Sequence, residues 1–139
     1  MGLVGEIAAV RAGRGNPRAM VGEFRRSAVL VPLMEGRPLT AVHGGIRWIH
    51  TFTDEAALAR FARLKGAAPG EEWEYAVLLG ARLLDAVVPQ VDGPAGVAVN
   101  AADEDGSMLF PPVRGIVPDA AVVDADMGTG GAERDGGAR

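Results

Sequence analysis

Few side chains in this 139-residue chain could carry reactive chemistry: His43 and His50, Ser27 and Ser107, and the acidic run Asp103-Glu104-Asp105 before Gly106. A hydrolytic triad needs a nucleophile, a base and an orienting group in contact. Ser27 falls at a predicted helix end and His43 at a predicted hairpin turn, both ordinary structural positions, so no triad is expected. His43 and His50 could approach each other across that hairpin, but two imidazoles without further ligands do not make a metal site. The acidic run departs from a calcium loop, because Ser107 and Met108 stand where such a loop needs an acid and a glycine. It reads as a solvated turn. "GRGNPR" (13–18) and "GTGGAER" (128–134) lack the endings of phosphate-binding loops, and Gly80 at a strand-to-helix turn reads as a backbone convenience. Paired carboxylates for acid–base work would come from Asp54, Asp85 and Asp105, but Asp54 reads as a helix cap and Asp85 as part of a polar helix face. No catalytic residue, metal or cofactor is therefore expected, and the chain is read as not an enzyme.

Binding residues are easier to nominate. Trp48, Trp73, Tyr75 and Phe110-Pro111-Pro112 are large groups in or beside predicted strands of a chain with few aromatics. Most should be core, and any that are exposed would anchor a protein contact. An open sheet edge offers a second contact mode, by strand addition. A competing expectation is a small-molecule or anion site near Asn100 and Asp105, using the helix start at Thr53-Asp54, where free amide groups can meet an anion.

These residues must be positioned by regular elements. Asn16-Pro17 predicts a helix start, with Met20, Val21 and Phe24 at helical spacing after it. "AVLVPL" (28–33) is short, apolar and β-branched, which predicts a buried strand with Pro32 near one end or edge. "LTAVHGGIRWIHTF" predicts a hairpin turning at Gly44-Gly45. Thr53 or Asp54 caps the next helix, whose apolar stripe is Leu58, Phe61 and Ala62. Strands are predicted at 73–79, 96–100 and 108–110, and a short helix in "ARLLDAVVPQ", stopped near Pro89. The fold class expected is α+β: a mixed, partly antiparallel sheet of about five strands with two or three helices packed on it. Residues 1–15 are expected to form a flexible or partly helical arm, 16–118 the domain, and the Gly/Ala/acidic stretch 119–139 a disordered tail.

Composition bounds the function classes. A chain of this length can bury one sizeable core, and the absence of cysteine removes disulfides, thiolate ligands and a cysteine nucleophile together. No apolar stretch approaches the roughly 18 residues of a membrane span. "MGLVGEIAAVRAGRG" does not fit a secretory signal, because Glu6 breaks the apolar run and the arginines follow it. A cytoplasmic, membrane-free protein is expected. Charge is uneven: residues 1–65 hold ten basic and five acidic residues, and 66–139 hold four and thirteen. Overall acidity, with a net charge of −4, argues against nucleic acid as a partner. The halves are expected to complement each other on folding; the rival reading is self-association through those opposite charges.

Taken in order, "AVLVPL", "RWIHTFTDEAALARFA", "YAVLLGARLLDAVVP" and "GPAGVAVNAADEDGSMLFPP" resemble the SseB N-terminal domain family, and more narrowly its short, stand-alone actinobacterial members. The likeness runs from about residue 17 to 118. It implies the fold but no catalytic residues. The function expected is a non-catalytic interaction or regulatory module whose partner is another bacterial protein; the alternatives are a small-molecule or anion sensor or an unrecognised enzyme, and a homo-oligomeric structural component.

Overall fold

The computed structural model describes residues 2–123. The chain is α+β, as its periodicities predict. Helices α1 (Leu3–Arg11) and α2 (Pro17–Arg26) lead into strand β1 (Ala28–Met34). Short β2 (Arg37–Pro38) and β3 (Thr40–His43) turn at Gly44-Gly45 into β4 (Ile46–Thr51), which hands the chain to α3 (Glu55–Leu64). After β5 (Tyr75–Leu79), α4 (Gly80–Arg82) runs on into a π-helical stretch, Leu83–Val87, and a 3-10 turn, Val88–Gln90. Strands β6 (Ala95–Val99) and β7 (Met108–Phe110) and a 3-10 turn, Asp119–Ala121, complete the order.

Two sheets form, β2-β1-β5 and β3-β4-β6-β7, antiparallel throughout except for the parallel pair β4–β6. They are stitched at one point. Leu30 and Phe52 exchange both main-chain hydrogen bonds, at 2.8 and 2.9 Å, while Leu39 donates to Pro32 and accepts from His50. The segment carrying β2 and β3 thus passes from one sheet to the other.

Local sequence explains the element ends. The Asn16 carboxamide accepts from the amides of Arg18 and Ala19, and Pro17 supplies the first helical φ. Between β3 and β4, Gly44 and Gly45 both take positive φ (64° and 80°), the geometry a two-residue hairpin turn requires. Strand β6 is buried along its whole length, so its small residues answer to crowding from both faces and both neighbours. A Cβ at Gly96 would lie 2.6 Å from the Phe110 carbonyl oxygen and 2.7 Å from the Trp48 ring.

Two hydrophobic cores pack against the sheets. The larger core joins Ile7, Met20, Phe24, Val29, Val31 and Ile49 with Leu83, Leu84, Val97, Val99 and Phe110; Phe24 and Phe110 stack at 4.7 Å. A smaller core under α3 holds Phe52, Ala57, Leu58 and Phe61, flanked by Leu30, Trp73 and Tyr75.

Three expectations are corrected here. Residues 3–11 are helical, one of the two forms expected, but they belong to the domain that was expected to start at 16: Leu3, Ile7 and Ala9 are buried, with Leu3 and Ile7 in the larger core. Gly80 is more than a convenience, since a Cβ there would meet the Phe24 carbonyl oxygen at 2.0 Å where α2 crosses the end of β5. The irregular end is ordered at least to Val123, whose amide donates to Pro112; the rest of the expected tail, 124–139, lies outside the described residues. Among the described residues the two ion pairs joining distant parts of the chain, Arg25–Asp85 and Arg60–Asp103, link a first-half arginine to a second-half aspartate, so charge complementarity operates within the chain. No helix among the described residues is long and apolar enough to cross a membrane.

Candidate functional site

Two of the nominated aromatics, Trp73 and Tyr75, line an open groove of about 320 Å³ between α3 and the segment 71–75. Leu58, Ala59, Ala62, Trp73 and Tyr75 form its apolar floor and walls, and Glu55, Glu71 and Glu72 its rim. Helix α3 is fixed at its start by two interlocks. Asp54 Oδ1 accepts from the Ala57 amide at 2.8 Å, and the buried Asn100 side chain bonds Thr53 twice. Its Oδ1 accepts from the Thr53 amide and its Nδ2 donates to Thr53 Oγ1, both at 3.0 Å. A bidentate contact of Arg60 with Asp103, 2.8 Å on each arm, ties the outer side of α3 to the same loop. The opposite wall is set by Trp73, which meets Phe61 edge-on at 6.1 Å, and by Tyr75, whose hydroxyl donates to Glu55 Oε2 at 2.7 Å.

The electrostatics of this groove are acidic. The hydrogen bond to Glu55 holds the Tyr75 phenol above its ordinary range, with smaller contributions from desolvation and from the charges of Glu55 and Glu72. His50 is half-buried, with its ring 4.8 Å from that of Phe61, the residue Trp73 meets edge-on. Burial, then the charge of Lys65, pushes its pKa below 6.5, and its Nδ1 has no hydrogen-bond partner among the described residues.

The nominated residues separate into distinct environments. Trp73 and Tyr75 share the groove, half-exposed. Trp48 and Phe110 do not offer contact surface. Trp48 is 9% exposed, with its indole N–H donating to the His43 carbonyl, and Phe110 is fully buried against Phe24. Pro111 is half-buried, and its carbonyl accepts from Val113. Asn100 bonds Thr53 and Asp54 accepts from the Ala57 amide at the start of α3, so the Thr53 and Ala57 amides are already engaged within the fold. Asp105 stays exposed on its turn, a loop held by Asp103 and by Arg11, whose guanidinium donates to the carbonyls of Glu104 and Ser107 at 2.9 Å. Ser27 donates to the Glu23 carbonyl at its helix end. Among the described residues no three His, Asp or Glu side chains are grouped to hold a metal.

Glu55, Glu71, Glu72 and Leu58 were not nominated from sequence. The signal available was "EEWEY" (71–75), aromatics interleaved with acids, which is unusual inside a buried strand. Comparison with known proteins finds no matching family model, no matching curated protein and no matching solved structure.

Proposed function

We propose that this chain is a non-catalytic interaction domain that binds a cationic, amphipathic segment of another protein in the groove between α3 and residues 71–75. The observation that carries this reading is the pairing of an apolar floor containing Trp73 and Tyr75 with a rim of three glutamates. Aromatic anchors in a partly desolvated pocket supply binding energy, and rim carboxylates select lysine or arginine over acidic neighbours and speed encounter. The reading agrees with the resemblance to SseB-like domains, and we assign the role to the bacterial cytoplasm. Polar groups elsewhere support it by their employment: Ser27, the capping Asp54 and the buried Asn100 each bond a neighbouring part of the fold.

The test is calorimetric titration with short peptides alternating lysine or arginine with leucine, against the same peptides carrying glutamate. Cationic peptides should bind, salt should weaken them, and the double substitution Glu71→Gln/Glu72→Gln should weaken them further without loss of folding. Equal affinity for cationic and anionic peptides would remove this reading.

A further inference from the structure

Strand β5 is the edge of its sheet. Its pairing with β1 runs Ala28↔Leu79, Leu30↔Val77 and Pro32↔Tyr75. The Gly80 amide donates to Ser27 and the Glu74 carbonyl accepts from Leu33. Hydrogen-bonded pairs alternate along an antiparallel ladder, so the even-numbered positions of β5 turn their N–H and C=O groups toward β1. Those of Tyr75, Val77 and Leu79 point the other way. Among the described residues these three have no main-chain partner on that side. Val77 and Leu79 are 57% and 52% exposed, and the stretch 75–79, "YAVLL", carries no charge.

Exposed edges are normally blunted by brevity, charge or covering structure. The other edges follow that pattern. Strand β2 has two residues, β7 three and β3 four, so brevity limits each of them. Among the described residues β5, with five residues, is the longest edge strand, and it is apolar and has no strand on its outer side.

We propose that β5 pairs antiparallel with β5 of a second copy of this chain, about a two-fold axis through Val77. Centring the pair on an odd-numbered residue matches odd positions with odd. Val77 then faces its own counterpart and Tyr75 faces Leu79 of the second copy, so every outward N–H meets an outward C=O, in about six hydrogen bonds. Registers centred on residue 76 or 78 use only two of the three residues on each strand. The ends also match in charge. Exposed Glu72 and Glu74 precede the strand and exposed Arg82 follows it, so antiparallel pairing brings acidic and basic ends together, as isologous contacts require. Each groove gains a neighbour, because Leu79 of the second copy comes to lie beside Tyr75. This inference rests on the reading of this face as a contact surface. A five-residue edge is small beside the about 1,600 Å² of a standard interface, which makes the dimer a weak one.

Sedimentation velocity from about 1 µM to about 1 mM covers weak to moderate affinities. The wild type should shift from monomer to dimer across that range. Val77→Lys, which sets two ammonium groups against each other at the axis from an exposed position, should stay monomeric at every concentration with an unchanged circular dichroism spectrum. Hydrogen exchange should show concentration-dependent protection at the amides of residues 75, 77 and 79, with 76 and 78 protected throughout. A wild type that is monomeric at all concentrations, or a dimer untouched by Val77→Lys, would overturn the proposal. So would protection of the three amides independent of concentration, which would mean that another part of the same chain covers the edge. Cationic-peptide binding is read separately on the Val77→Lys variant: binding there leaves the groove reading standing even if the wild type fails to pair, and no preference for cationic over anionic peptides there, beside a wild type that dimerises, sinks the groove reading alone.

Discussion

Replacing Asn100 by alanine tests the interlock that positions α3. The side chain is 3% exposed and makes two 3.0 Å hydrogen bonds to Thr53, while its own backbone sits at φ 51°. Each hydrogen bond contributes about 1 kcal/mol net, so their loss costs about 2 kcal/mol. A left-handed conformation without the local hydrogen bonding of asparagine adds about 1 kcal/mol for alanine. Asn100→Ala should therefore destabilise by about 3 kcal/mol, a large share of the about 5–15 kcal/mol that keeps a domain folded. Asn100→Gly, free of the backbone penalty, should cost about 1 kcal/mol less than alanine. Urea unfolding followed by far-UV circular dichroism measures both. A Thr53→Val partner completes a double-mutant cycle, whose coupling should be about 1 kcal/mol for the Nδ2 to Oγ1 bond. A cost below about 1 kcal/mol for alanine, or equal costs for glycine and alanine, would refute the reasoning about hydrogen bonds or about backbone strain respectively.

Two further outcomes follow from packing and titration. Gly96→Ala would drive a methyl group into the Phe110 carbonyl and the Trp48 ring, so it should destabilise by about 1–3 kcal/mol; a thermal melt indistinguishable from wild type would contradict that close approach. His50 titrates below 6.5 in the folded chain because its charged form is desolvated and faces Lys65. The unfolded chain therefore takes up the proton first as pH falls. Stability is complete above about pH 6.5, the unfolded value, and declines from there toward the lower folded pKa. The depressed carboxylates Asp85 and Asp103, each held by an arginine hydrogen bond, act only below pH 3.8, their ordinary value. Melts of His50→Phe should lack the decline that sets in as pH falls below about 6.5; an identical decline in that variant would assign it to another group.

Several elements were legible because their causes are local. The Asn16-Pro17 start of α2, the Gly44-Gly45 turn and the Asp54 cap depend on residues within one turn of each other, and all three occur as read. The apolar stripe of α3 was equally plain in its spacing. The groove was only half legible. Trp73 and Tyr75 were nominated for their chemistry, but Leu58 and Glu55 reach them from another element, about 15 to 20 residues away in the chain. The same chemistry nominated Trp48 and Phe110, which the sheet and α2 bury.

What the sequence by itself determined is therefore the set of elements, their caps and turns, and the scarcity of reactive side chains, because periodicity, φ preference and composition are properties of short stretches. The tertiary structure decided exposure. "YAVLL" and "AGVAV" are alike as strings, both short, apolar and uncharged. Yet β6 is buried along its whole length between two neighbours, whereas β5 has one strand neighbour among the described residues. Strand order depends on which distant segments pair, and a strand carries no mark of the neighbour it lacks.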